Sequence, residues 1–140
     1  MSKFLVFWIF CLSFYLMIAG SNAGGITKSV DYHLEECIAE SKADRDSIKK
    51  LRAGNWRKSD KALKKWALCY LSKHDVMSTN GVLNQDVVLK NIPIKDKPHV
   101  EKIINKCLYK QAHDPIETAW NYLTCFIKNE RKYAKLANLI

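Results

Sequence analysis

Residues Cys107–Cys125 read CLYKQAHDPIETAWNYLTC, and one helix closes and another opens inside this stretch. Asp114 stands where an N-cap is needed, and Pro115 follows at the first helical position, where a missing N–H costs nothing. Glu117 completes a capping-box-like pattern. Beyond the cap, Ile116, Ala119, Trp120, Leu123, Phe126 and Ile127 recur at three and four, which is one helical face. Before it, Val100, Ile103, Ile104, Cys107, Leu108 and Gln111 keep the same period, with Asp96 as N-cap and Pro98 in the first turn. The stretch predicts two helices with a capped break between them and a cysteine on each.

The same period extends back toward the N-terminus, and no stretch alternates well enough for a sheet. A first helix is expected over about 29–42, with Cys37 inside it. A short second helix starts near Asp44 or Asp46 and ends before Gly54. Lys58 or Ser59 opens a third, with Leu63, Trp66, Ala67 and Tyr70 as its stripe. Asn80-Gly81 reads as a turn, and Asn84 caps a short fourth helix ending before Pro93, with Asp86 in its first turn. The tail from Arg131 is half basic and half apolar. It is either a short helix or a segment folded back over the core, with surface fraying expected for Leu136–Ile140. The fold class is all-α, in a single domain spanning 24–140.

The first 23 residues carry a different signal. Lys3 precedes an apolar run from Phe4 to Ala19, and Ser21 and Ala23 suit the −3 and −1 positions of a cleavage site. Sixteen apolar residues are short for a membrane span, which needs about 20, so 1–23 reads as a secretory signal peptide. Its removal takes Cys11 and leaves Cys37, Cys69, Cys107 and Cys125. An even cysteine count in an oxidising compartment predicts two disulfides, and four cysteines allow three pairings.

Enzyme chemistry finds no foothold. After Gly25 only Gly54 and Gly81 remain, too few for a phosphate-cradling loop. No G-x-S-x-G elbow and no C-x-x-C pair occurs, and the four histidines, His33, His74, His99 and His113, are scattered. They read as solvated surface residues. No cofactor and no metal is expected. The net charge of +9 concentrates between Lys49 and Lys73, where nine bases face one acid, Asp60. Lys58, Lys61 and Lys65 form one row on the third helix, with Lys64 beside it. The row reads as a solvated face. An anionic membrane surface is the alternative, and secretion argues against a nucleic-acid partner.

The cysteine spacing resembles that of the insect odorant-binding proteins of the pheromone- and general-odorant-binding type. Those proteins usually carry six cysteines, bridged first to third, second to fifth and fourth to sixth. Cys37, Cys69, Cys107 and Cys125 match the first, third, fourth and sixth, and Tyr70-Leu71, Val76-Met77 and Asn80-Gly81 look familial. The second and fifth positions fall on Lys65 and Ile116. The two absent cysteines are thus each other's partners, as in the four-cysteine, minus-C branch.

The resemblance implies Cys37–Cys69 and Cys107–Cys125 bridges, and about six helices around an internal apolar cavity. Without a 65–116 bridge, packing alone would hold the third and sixth helices together, with Lys65 keeping its ammonium in water. It implies a secreted carrier of small hydrophobic ligands, odorants or pheromones, as a monomer or weak homodimer that meets an olfactory receptor or a membrane surface. Residues on faces that such a fold turns inward are Ile48, Leu51, Leu71, Met77, Leu89, Ile104, Leu108, Tyr122 and Phe126, with the Tyr122 and Ser72 hydroxyls as polar handles. Trp56, Trp66 and Trp120 are expected in the core or at its rim. The alternatives are the same carrier in a non-sensory secretion, or a basic, disulfide-stapled protein acting on anionic membranes.

Overall fold

Capping chemistry sets the helix boundaries. The computed structural model describes residues 28–56, 61–108 and 112–140. The signal peptide, the Lys58 or Ser59 start of the third helix, and Gln111 lie outside the described residues. The helices are α1 (Lys28–Ser41), α2 (Arg45–Arg52), α3 (Lys61–Lys73), α4 (Gln85–Leu89), α5 (Lys97–Leu108) and α6 (Pro115–Ala134). Among the described residues there is no strand beyond one isolated antiparallel bridge, Met77 to Leu83. Residues Tyr32–Ile140 gather into one unit, to which the packing below belongs.

Helix α2 shows how eight residues with two apolar side chains become a defined element. Asp44 accepts from the Ser47 backbone N–H at 2.8 Å and from its hydroxyl at 2.9 Å. Those bonds hold the Asp44 carboxyl below its usual range. At the other end Gly54 takes a left-handed φ of +79°. Its N–H reaches the Leu51 carbonyl, and the Asn55 N–H reaches Lys50, which closes a Schellman motif. Ile48 and Leu51 are the two buried residues, one turn apart, and Arg45, Lys49 and Lys50 face outward while Arg52 is half-buried.

The Asn80-Gly81 turn forms as expected. Gly81 has φ +81°, and a Cβ there would lie 3.2 Å from the Pro115 Cα, so the turn presses on the start of α6. Asn84 caps α4 through the Val87 N–H. Asp96 does not cap α5. Pro93, with φ −54°, opens a 3-10 turn over Ile94–Asp96 that runs straight into the helix. Proline's fixed φ starts the helical path earlier than the first capping side chain does.

Helix α6 packs against α3 on one side and α5 on the other. Asp114 accepts from the Ile116 N–H at 2.9 Å, as its position predicts. The buried Thr118 hydroxyl bonds the Ala112 carbonyl at 2.8 Å, tying the incoming loop to the first turn. Glu117 does not turn back to the cap. Its carboxylate meets the Lys64 ammonium at 2.5 Å, so a half-buried ion pair joins α3 to α6 and packing is not their sole connection. Lys65, the next residue, is exposed. Two disulfides complete the frame: Cys37–Cys69 joins α1 to α3, and Cys107–Cys125 joins α5 to α6.

The tail is not frayed. Glu130 leaves the helical region (φ −152°, ψ 63°), and the kink turns the last residues inward. Ala134, Ala137 and Leu139 are completely buried and Tyr133 nearly so, which leaves Leu136 as the exposed apolar residue of the segment. Burial of small and branched side chains outweighs the fraying tendency of a terminus.

Two measurements follow from this packing. Leu139→Ala removes a fully buried side chain and is expected to lower unfolding free energy by about 3 kcal/mol in urea titrations; a change within about 0.5 kcal/mol would mean the tail is loose. Lys64→Gln breaks a partly exposed pair and is expected to cost below about 1 kcal/mol, with the cost shrinking in 1 M salt, roughly three times the screening of 0.1 M.

Candidate functional site

The inward residues named from the sequence fall on five helices and one loop and meet in one core. Ile48 and Leu51 come from α2, Leu71 from α3, Met77 from the following loop, Leu89 from α4, Ile104 from α5, and Tyr122 and Phe126 from α6. All eight are buried and belong to a single hydrophobic cluster. Leu108 packs against it, partly buried. Ser72 is half-buried at the end of α3.

Two unpartnered hydroxyls interrupt this apolar interior. Tyr122 is 1% exposed, and its hydroxyl has no hydrogen-bond partner. Burial pushes the phenol far above its usual range, so it stays a neutral donor. The Phe126 ring lies 6.1 Å away, centre to centre. The Ser72 hydroxyl is likewise buried and unpartnered. An unmet buried hydroxyl costs about 1–3 kcal/mol, and an oxygen-bearing guest would offset that cost.

Ser72 and Met77 also line an open cleft of about 870 Å³, with Asp75, Asn84, Asp86 and Val87. That volume lies within the range of small-molecule pockets, about 300–1,000 Å³. Asp75 adopts φ +57° where α3 gives way to the loop. Met77 is both a buried member of the core and a wall of the cleft, so the two regions share a flexible, unbranched side chain.

A second polar constellation is not foreseen from the sequence. Trp66, Tyr70 and His74 lie at four-residue spacing along α3. Trp66 stacks on Tyr70 with centroids 4.9 Å apart, and Tyr70 meets His74 at 4.5 Å. His33 from α1 meets His74 edge-on at 5.3 Å. The Arg52 guanidinium, at the end of α2, lies 5.8 Å from the Trp66 ring centre and 5.3 Å from that of Tyr70. His33 and His74 are therefore half-buried members of a stack, not solvated residues. Desolvation, then His33 and Arg52, push the His74 imidazole below its usual range, which keeps it neutral. The i, i+4, i+8 placement of three rings was the available signal; the Arg52 contribution, fourteen residues before Trp66, left none.

The other histidines are exposed, and His99 pairs with Glu130 at 2.7 Å. Among the described residues, no three His, Cys, Asp or Glu side chains gather as a metal site. Among the same residues, no helix is long and apolar enough to cross a membrane.

The comparisons with known proteins agree with the cysteine pattern. Residues 24–129 match the PBP/GOBP family. Odorant-binding protein 10 of Aedes aegypti is 31% identical over 98 residues, which is 69% of each chain. This helical, twice-bridged chain belongs to the PBP/GOBP family, the insect odorant-binding proteins.

Proposed function

We propose that the chain is a secreted carrier of small hydrophobic ligands such as odorants, pheromones or related semiochemicals. Residues 1–23 direct secretion and are removed, and 24–140 form the working domain. The ligand occupies an internal apolar cavity among Leu51, Leu71, Ile104, Leu108, Tyr122 and Phe126, and crosses aqueous extracellular fluid there. Burying apolar ligand surface gains about 25 cal/mol per Å², which suffices for capture without covalent chemistry. The observation that carries the reading is the Tyr122 hydroxyl, unpartnered in the apolar core of a PBP/GOBP chain. A buried donor with nothing to bond is suited to a guest alcohol or carbonyl.

The expected result of titrating the oxidised mature protein with a fluorescent apolar probe is saturable binding near one probe per chain. Small volatiles should displace it, and salt should change it little. Unsaturable binding, or binding to anionic vesicles that collapses with salt, would move the function to the basic surface. A second test is Tyr122→Phe. It removes an unmet hydroxyl and is expected to raise stability by about 1 kcal/mol, while weakening oxygen-bearing ligands several-fold and sparing hydrocarbons of equal length. A loss of stability would mean the hydroxyl is satisfied in the empty protein.

A further inference from the structure

Arg52 is a cation without a counter-ion. Among the described residues no carboxylate forms an ion pair with it, and its neighbours are the Trp66 and Tyr70 rings. The Glu36 carboxylate on α1 is already engaged, by Lys73 at 2.7 Å and His33 at 3.7 Å. Guanidinium does not shed its proton in proteins, so burial cannot neutralise it. Stacking on aromatic faces recovers part of the lost hydration and leaves the Nε and Nη2 N–H groups unmet.

Most of the unmet groups are donors. Arg52 Nε and Nη2 and Trp66 Nε1 are buried N–H groups with no hydrogen-bond partner, and the His74 Nε2 ring nitrogen beside them is also unpartnered. Arginine and indole nitrogens donate and never accept. Nε and Nη2 form one edge of the guanidinium plane, the edge whose two parallel N–H bonds match the two oxygens of a carboxylate. Trp66 is fully buried, so its indole N–H has no recourse to water. The surrounding rings offer apolar faces to whatever follows the headgroup. Trp66 and Tyr70 belong to the same hydrophobic cluster as Leu51 and Leu71, while Arg52 and His74 are half-buried, so these groups sit at the border of the apolar core.

We propose that Arg52, Trp66 and His74 form a headgroup site that selects carboxylate-bearing amphiphiles, with the Nε–Nη2 edge of Arg52 taking the two oxygens and the chain entering the apolar core. This rests on the carrier reading and names the ligand class within it. A fatty acid of medium chain length has the required parts: a planar anion with two acceptors, and a body that stacks and buries. An alcohol of equal length brings one oxygen and no charge, and leaves the guanidinium uncompensated.

The test compares dodecanoic acid, dodecanol and methyl dodecanoate as competitors against the fluorescent apolar probe on the oxidised mature protein. The acid is expected to bind at least about ten-fold more tightly than the alcohol or ester. Arg52→Met keeps the apolar stem and is expected to erase that preference, leaving the alcohol's affinity within about two-fold. Trp66→Phe keeps a ring, removes the N–H, and is expected to reduce the preference by a few-fold, so the proposal survives a folding failure of the first variant. Saturable probe binding with equal affinity for all three competitors would overturn the headgroup site and leave the carrier reading intact. Displacement of bound dodecanoate by acetate or inorganic phosphate at comparable concentration would also overturn it, because the site would then be a simple anion site. Absence of saturable probe binding would remove the carrier reading and this proposal with it.

Discussion

Helix α6 carries more of the core than any other element, and the other elements are placed by what they lay against it. Its buried residues run continuously from Thr118 to Trp120, resume at Tyr122, Leu123 and Cys125–Ile127, and end at Tyr133 and Ala134, a wide apolar face with aromatic and small side chains. It needs partners on more than one side. Helices α3 and α5 supply two of them, and the Gly81 turn closes over its first residue. The kink at Glu130 lets the chain's own end supply another. A terminal segment that would otherwise fray becomes core, because an uncovered α6 would expose apolar surface.

Each partner is fixed to α6 by a different kind of bond. Cys107–Cys125 is covalent, and on the loop-entropy model a closed loop of 18 residues is worth about 3 kcal/mol. Lys64–Glu117 is electrostatic and joins α3 to the first turn of α6. With both side chains partly exposed, the pair is weak and salt-sensitive. The α3–α6 contact thus joins packing to a salt-sensitive ion pair, whereas the α5–α6 contact joins packing to a covalent bond.

Local signals were legible where chemistry is local. Asp44, Asn84, Asp114 and the Gly54 and Gly81 positions set boundaries through bonds within four residues, and the sequence carries them openly. Asp96 misleads because a preceding proline does the same work sooner. Glu117 and the tail mislead for another reason. Their partners, Lys64 and the core, lie far off in sequence, and a distant charge or apolar surface outcompetes a local bond or a solvated end. The same limit hides the Arg52 stack. A histidine looks solvated until the helix that carries it is placed beside an aromatic face and a second histidine.

The interior holds two sorts of unmet polar group, and their costs bear on how the protein is built. Tyr122 and Ser72 leave hydroxyls unpaired, while Arg52 and Trp66 leave N–H donors and His74 a ring nitrogen unpaired. Each such group costs about 1–3 kcal/mol when buried. A domain of this size has about 5–15 kcal/mol of net stability, so several of them together would consume a large share. The two disulfides restrain the unfolded chain by about 3–4 kcal/mol each and offset that share without filling the interior. A staple acting on the unfolded state leaves the folded interior free to remain polar in places, which a stabilising increase in packing would not. The cysteines therefore do more than hold helices together: they offset the cost of buried polar groups that the fold itself leaves unmet.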